Sequence, residues 1–72
     1  MTNAPEIDAE RSDVERLAAA IRRSPGQSRN RVIEVSGVAQ RRARVLLQRH
    51  EGELWHSRRG PHNTILFFPR EM

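Results

Sequence analysis

Apolar positions along the chain fall into three short helical stripes followed by two β-prone runs. Val14, Leu17, Ala18 and Ile21 recur at i, i+3, i+4 and i+7, the spacing of one buried helical stripe. Ser12 and Glu15 stand just ahead as S-x-x-E, a capping box that satisfies backbone donors at a helix start. A first helix is therefore expected from Ser12 to about Arg23, ended by Ser24-Pro25-Gly26, because proline disfavours helical geometry in the residue before it. Residues 1–11, "MTNAPEIDAER", carry Pro5 and no clear period, and are expected to be a flexible acidic N-terminal tail ahead of a domain spanning 12–70.

Ser28 is the next N-cap candidate, and Val32, Ile33 and Val35 supply a short apolar face before Gly37, so the second helix is expected to be about two turns long. A third helix is expected from about Ala39 to His50, with Gly52 as its stop. Winding the third helix at 3.6 residues per turn puts Ala39, Ala43, Leu46, Leu47 and His50 on one side. Arg41, Arg44, Val45 and Gln48 fall on the other, and Gln40, Arg42 and Arg49 flank the boundary. After residue 52 the period changes. "ELWHS" and "TILFF" are β-prone and aromatic, and "RRGPHN" between them is rich in turn formers, which predicts a β-hairpin over 53–68 with Arg58 and Arg59 at the base of a loop of about six residues.

Composition changes this picture mainly through where the charge lies. Met1–Glu15 holds five acids against one arginine (net −4), whereas residues 16–72 hold twelve arginines against four acids (net +8). All thirteen basic residues are Arg, whose planar fork suits phosphate and guanine, although GC-rich codon usage gives the same composition. The acidic start has two readings: it solubilises the chain, or it competes for the basic surface, its own or a neighbouring subunit's. At 72 residues and 36% hydrophobic, the chain suits one small domain that buries only about 60% of its unfolded surface, so dimerisation is expected to help it. The absence of cysteine excludes disulfides and thiolate metal sites, no stretch has the apolar length of a membrane span, and the acidic start is unlike a signal peptide; a cytoplasmic protein is the expectation.

Helix two, the Gly37-Val38 turn and helix three together make a helix-turn-helix, in which glycine permits the reversal and the apolar residue plugs the gap between helices. With the Ala43 and Leu47 core spacing, the Gly52-Glu53-Leu54 exit and the aromatic hairpin, the stretch from about Ser12 to Pro69 resembles the winged helix-turn-helix family of DNA-binding domains. The fold class expected is mainly α with a C-terminal β-hairpin, a three-helix winged helix-turn-helix. The family often has Ser or Thr where Ala39 stands, so the third helix lacks a side-chain cap.

The resemblance implies sequence-specific binding of double-stranded DNA, with helix 39–50 in the major groove and hairpin 53–68 as the wing. Gln40, Arg41, Arg44, Val45 and Gln48 then meet base edges, since Arg reads guanine, Gln reads adenine and Val meets a thymine methyl. Ser28, Arg29, Arg31, Arg42 and Arg49 hold the DNA backbone, and Arg58, Arg59 and His62 belong to the wing. The expected role is a small transcriptional regulator or mobile-element accessory factor. Two other readings stay open. A winged-helix adaptor would dock a protein partner through Trp55, Phe67 or Phe68, and RNA would suit the same arginines.

Neighbouring Phe67 and Phe68 must point to opposite faces of a strand, so one ring is expected to lack a home in the monomer, which argues for a homodimer. His50, His56 and His62 lie six residues apart without a local carboxylate pair, so no metal is expected. No nucleophile elbow, glycine-rich phosphate loop or converging carboxylate pair is present; the chain is read as a non-enzyme without cofactors, with no catalytic residue.

Overall fold

The computed structural model describes residues 5–70. Three helices, α1 (Pro5–Arg23), α2 (Arg29–Ser36) and α3 (Gln40–Arg49), are completed by an antiparallel sheet of β1 (Gln27–Ser28), β2 (Trp55–Arg59) and β3 (Ile65–Pro69) in the order β1-β3-β2. This is the expected architecture, a helical domain with a C-terminal β wing. The register runs from Trp55 opposite Pro69 to Arg59 opposite Ile65, and β1 adds Gln27 and Ser28 beside Phe67 and Leu66.

One helix starts earlier than its pattern predicts. Helix α1 begins at Pro5, seven residues before Ser12, so the Ser12–Glu15 pattern lies inside the helix and caps nothing. Residues 5–11 of the expected tail are helical, with Pro5 at the first helical position, where its missing N–H is one the helix leaves unsatisfied. The remainder of that tail, 1–4, lies outside the described residues.

The second helix follows its local signals. Ser28 is extended and its Oγ accepts a hydrogen bond from the Arg31 N–H at 3.3 Å. Gly37 ends α2 at φ +77°, a left-handed conformation that costs glycine little, and its N–H donates to the Ile33 carbonyl at 3.2 Å. Ser36 tightens the reversal, donating its hydroxyl to the Ile33 carbonyl and accepting the Val38 N–H. An eight-residue helix depends heavily on such ends. Ser28→Ala is expected to destabilise the domain by about 1 kcal/mol, lowering the melting temperature by about 4–8 °C; a thermal melt followed by circular dichroism measures it.

The core joins all the main elements. Leu17, Ala20 and Ile21 of α1, Val32 and Ile33 of α2, Val38 of the turn, and Ala43, Leu46 and Leu47 of α3 are buried with Trp55 and Phe67 of the sheet. Trp55 and Ala43 have no exposed surface. The strands reach further than the hairpin pattern suggests: Arg58 and Arg59 belong to β2, and β3 continues to Pro69. The tip is a short 3-10 turn at Pro61–Asn63, closed by the Gly60 N–H on the Thr64 carbonyl, with His62 and Asn63 at positive φ.

Candidate nucleic-acid interface

Helix α3 divides as its pattern requires at Ala43, Leu46 and Leu47, but Ala39, expected on the core side, is exposed as the N-cap ahead of the first turn, and His50, the C-cap, is only half-buried. Ala43, Leu46 and Leu47 face the core, while Gln40, Arg41, Arg44, Val45 and Gln48 are exposed, Val45 at 49%. Ala39 caps the helix without a side-chain bond, and its carbonyl accepts the Ala43 N–H at 2.8 Å. Among the described residues, no carboxylate bridges Arg41 or Arg44. The exposed face is a ridge between two grooves. On the sheet side a groove of about 540 Å³ is lined by Arg29, Arg44, Gln48, Glu51, Ser57 and Ile65, among others. On the α1 side a groove of about 290 Å³ lies between Glu10 and Arg41, Arg42, Val45 and Arg49.

The two flanks differ in charge. On the α1 side, Asp13 Oδ2 sits 2.9 Å from Arg42 Nε, and Glu10 Oε2 accepts from Arg49 at 2.8 Å. Two of the arginines expected to hold DNA backbone are thus bonded to carboxylates of their own chain. No acid lies between Val35 and His50 in sequence, and the fold supplies two from α1. Arg31 likewise reaches Glu34, at 3.4 Å. On the sheet side, the Arg29 Nε is buried without a hydrogen-bond partner, at the start of α2 beside the Ser28 cap. One acid lies in that groove, Glu51, and its Oε2 accepts both the N–H (3.1 Å) and the hydroxyl (2.8 Å) of Ser57, which ties it to β2.

The wing arginines are not equivalent. Successive strand residues face opposite sides of a sheet. Arg58 carries its guanidinium carbon 5.5 Å from the centre of the Phe68 ring, and His56 stacks on the same ring at 5.5 Å and 17°. Arg59 pairs with Ile65, which lines the larger groove with Ser57 and Phe67, so Arg59 belongs to the face turned toward α3. His62, at the tip, borders a groove of about 240 Å³ with Ser28, Arg29 and Asn30, bringing the wing loop close to the start of α2.

The aromatic residues correct two expectations. Trp55 is fully enclosed, donates its indole N–H to the Leu47 carbonyl at 2.9 Å and meets the edge of His50, and Phe67 is 4% exposed. Neither can anchor a protein partner without opening the core, because their surface is already spent on α3 and the sheet. With Phe67 in the core, Phe68 is the ring left for the expectation that one of the two lacks a home, and it is half-buried under His56 and Arg58, beside Gly26. Cross-strand pairing gives it a home in the monomer. His50 Nδ1 lies 3.2 Å from Glu53, and no group of three or more metal-ligating side chains occurs among the described residues.

No helix among the described residues is long and apolar enough to cross a membrane. Comparison of the chain with protein-family models, with curated proteins and with solved structures finds no match.

Proposed function

We propose that the chain binds double-stranded DNA sequence-specifically, with α3 in the major groove and the β2–β3 hairpin as a wing on the adjoining backbone. The observation that carries this reading is the exposed ridge of Gln40, Arg41, Arg44, Val45 and Gln48, which groups guanidiniums, carboxamides and a methyl-bearing side chain on a helix narrow enough for that groove. Arg29 borders it on the sheet side, with Ser28 and His62 in the adjoining groove and Arg59 opposite Ile65 on the strand face turned the same way, where phosphates would set register. Arg42 and Arg49 drop out of the backbone set because their own carboxylates hold them. The role that follows is occupancy or local bending of DNA by a small regulator or mobile-element accessory factor.

Selection of bound duplexes from a random pool at two ionic strengths tests the reading. A defined motif is expected, with log affinity falling against log salt by about 0.9 for each phosphate held. Two copies acting together would select an inverted repeat with half-sites about 34–36 Å apart, and one copy a single half-site. Arg59→Ala is expected to weaken all duplexes alike and flatten that slope by about 0.9, whereas Arg58→Ala, whose guanidinium rests on Phe68, has a smaller effect. Failure to enrich any motif, with binding unmoved by salt, overturns the reading.

A further inference from the structure

We infer that Glu10 and Asp13 are specificity-determining residues: they close the α1 flank of α3 to phosphate, so that a duplex is gripped only from the sheet side. This rests on the DNA-binding reading above. Arg42 and Arg49 lie seven residues apart, two turns or about 10.5 Å along one flank of α3. Asp13 and Glu10 lie one turn apart on α1 and meet them in antiparallel order, at 2.9 and 2.8 Å. Asp13 is the more sheltered carboxylate, with 17% of its side chain exposed against 38% for Glu10. Each carboxylate occupies one edge of its guanidinium, Arg42 through Nε and Arg49 through Nη1, and offsets the positive charge that a phosphate would use there. A like charge at that place repels a misplaced backbone as well as occupying its donor.

The sheet side is the reverse. Arg29 keeps a buried Nε without a partner, Arg44 has no carboxylate bridge among the described residues, and the one acid in that groove, Glu51, is held by Ser57. A duplex read by the ridge therefore finds cationic donors on one flank and neutralised ones on the other. Without Glu10 and Asp13, both flanks would offer guanidiniums. Misregistered binding that reads no bases would gain two phosphate contacts, while the cognate arrangement, already anchored by the groove, would gain few.

The Glu10→Gln/Asp13→Asn double variant, which keeps side-chain shape and hydrogen-bonding capacity, tests this in anisotropy titrations against a random duplex and a selected one. Circular dichroism checks that helix content is retained. On random duplex the salt slope is expected to steepen by about 1.8, so the variant's advantage over wild type grows about tenfold between about 200 and 50 mM salt. Affinity for the selected duplex should change by much less, and discrimination should shrink. A Glu15→Gln/Glu53→Gln control makes the same change in net charge away from Arg42 and Arg49, and is expected to leave discrimination near wild type. Equal gains on both duplexes, no gain on either, or a control matching the double variant would overturn the inference while leaving DNA binding intact. If neither wild type nor variant binds any duplex, the DNA reading itself fails, and this inference with it.

Discussion

Trp55→Ala is expected to remove a large share of the domain's stability at room temperature. Removing a fully buried tryptophan typically costs about 3–5 kcal/mol, against a total stability of roughly 4–11 kcal/mol for a chain of this length. The site cannot relax cheaply, because Trp55 lies between the last turn of α3 and the root of the wing, in one cluster with Leu17, Ile21, Val32 and Leu47. It also has a polar task. The Leu47 carbonyl is among the last four of α3, which have no partner within a helix, and the indole N–H supplies one at 2.9 Å. Trp55→Phe separates the two contributions: it keeps most of the apolar volume and leaves the carbonyl without its donor, at a cost of about 1–3 kcal/mol. Urea denaturation followed by circular dichroism measures both variants. A Trp55→Ala protein within about 1 kcal/mol of wild type would mean that this ring is not the keystone of the core.

On the proposed DNA-binding reading, alanine at Arg41 or Arg44 should abolish base preference at the positions each one would contact. A paired Arg–guanine contact discriminates by about 1–3 kcal/mol, roughly 5- to 150-fold against the wrong base. Since the two side chains lie three residues apart on one exposed ridge, the double variant should lose preference at adjacent base pairs while retaining much of its affinity for random duplex. The contrast with Arg59→Ala is diagnostic, since that change should lower affinity without altering the selected motif. Repeating the selection with each variant reads the difference directly. If Arg41→Ala and Arg44→Ala weaken selected and random duplexes by one common factor, those arginines hold phosphate and the ridge does not read bases.

How far the sequence carried can be judged residue by residue. The Ser28 cap, the Gly37 reversal and the division of α3 at Ala43, Leu46 and Leu47 all depend on neighbours within a few positions and are legible, whereas Ala39, read onto the core side, is exposed because it precedes the helix as its cap. Strand β1 was not: Gln27 and Ser28 have no alternating apolar pattern, and they count as a strand because β3 runs beside them. The start of α1 is not legible because Ser12–Glu15 satisfies a local capping rule within a longer helix. The helix nevertheless continues back to Pro5 through residues that tolerate it, and Glu10 gains a partner 39 positions away. Long separation in sequence likewise hides the ion pairs of Arg42 and Arg49, for which the sequence signal is the opposition between an acidic start and a basic remainder. The cover over Phe68 follows from strand register, which places His56 directly opposite it, and register is not readable from a hairpin pattern with an uncertain loop.

The brevity of β1 shapes how the ribbon behaves. Its two residues stitch β3 to the helical body only at Phe67 and Leu66, and beyond them Arg59 and Ile65 are joined to each other and to nothing else in the sheet. A free two-stranded ribbon is marginal in water, so beyond β1 this one relies on the closure of its tip by the Gly60 N–H on the Thr64 carbonyl and on the approach of His62 to Ser28, Arg29 and Asn30, while Trp55 and Phe67 pin its root. The hairpin is thus braced at both ends, its root in the core and its tip against the beginning of the second helix, so a change at either end is transmitted along five residue pairs to the other.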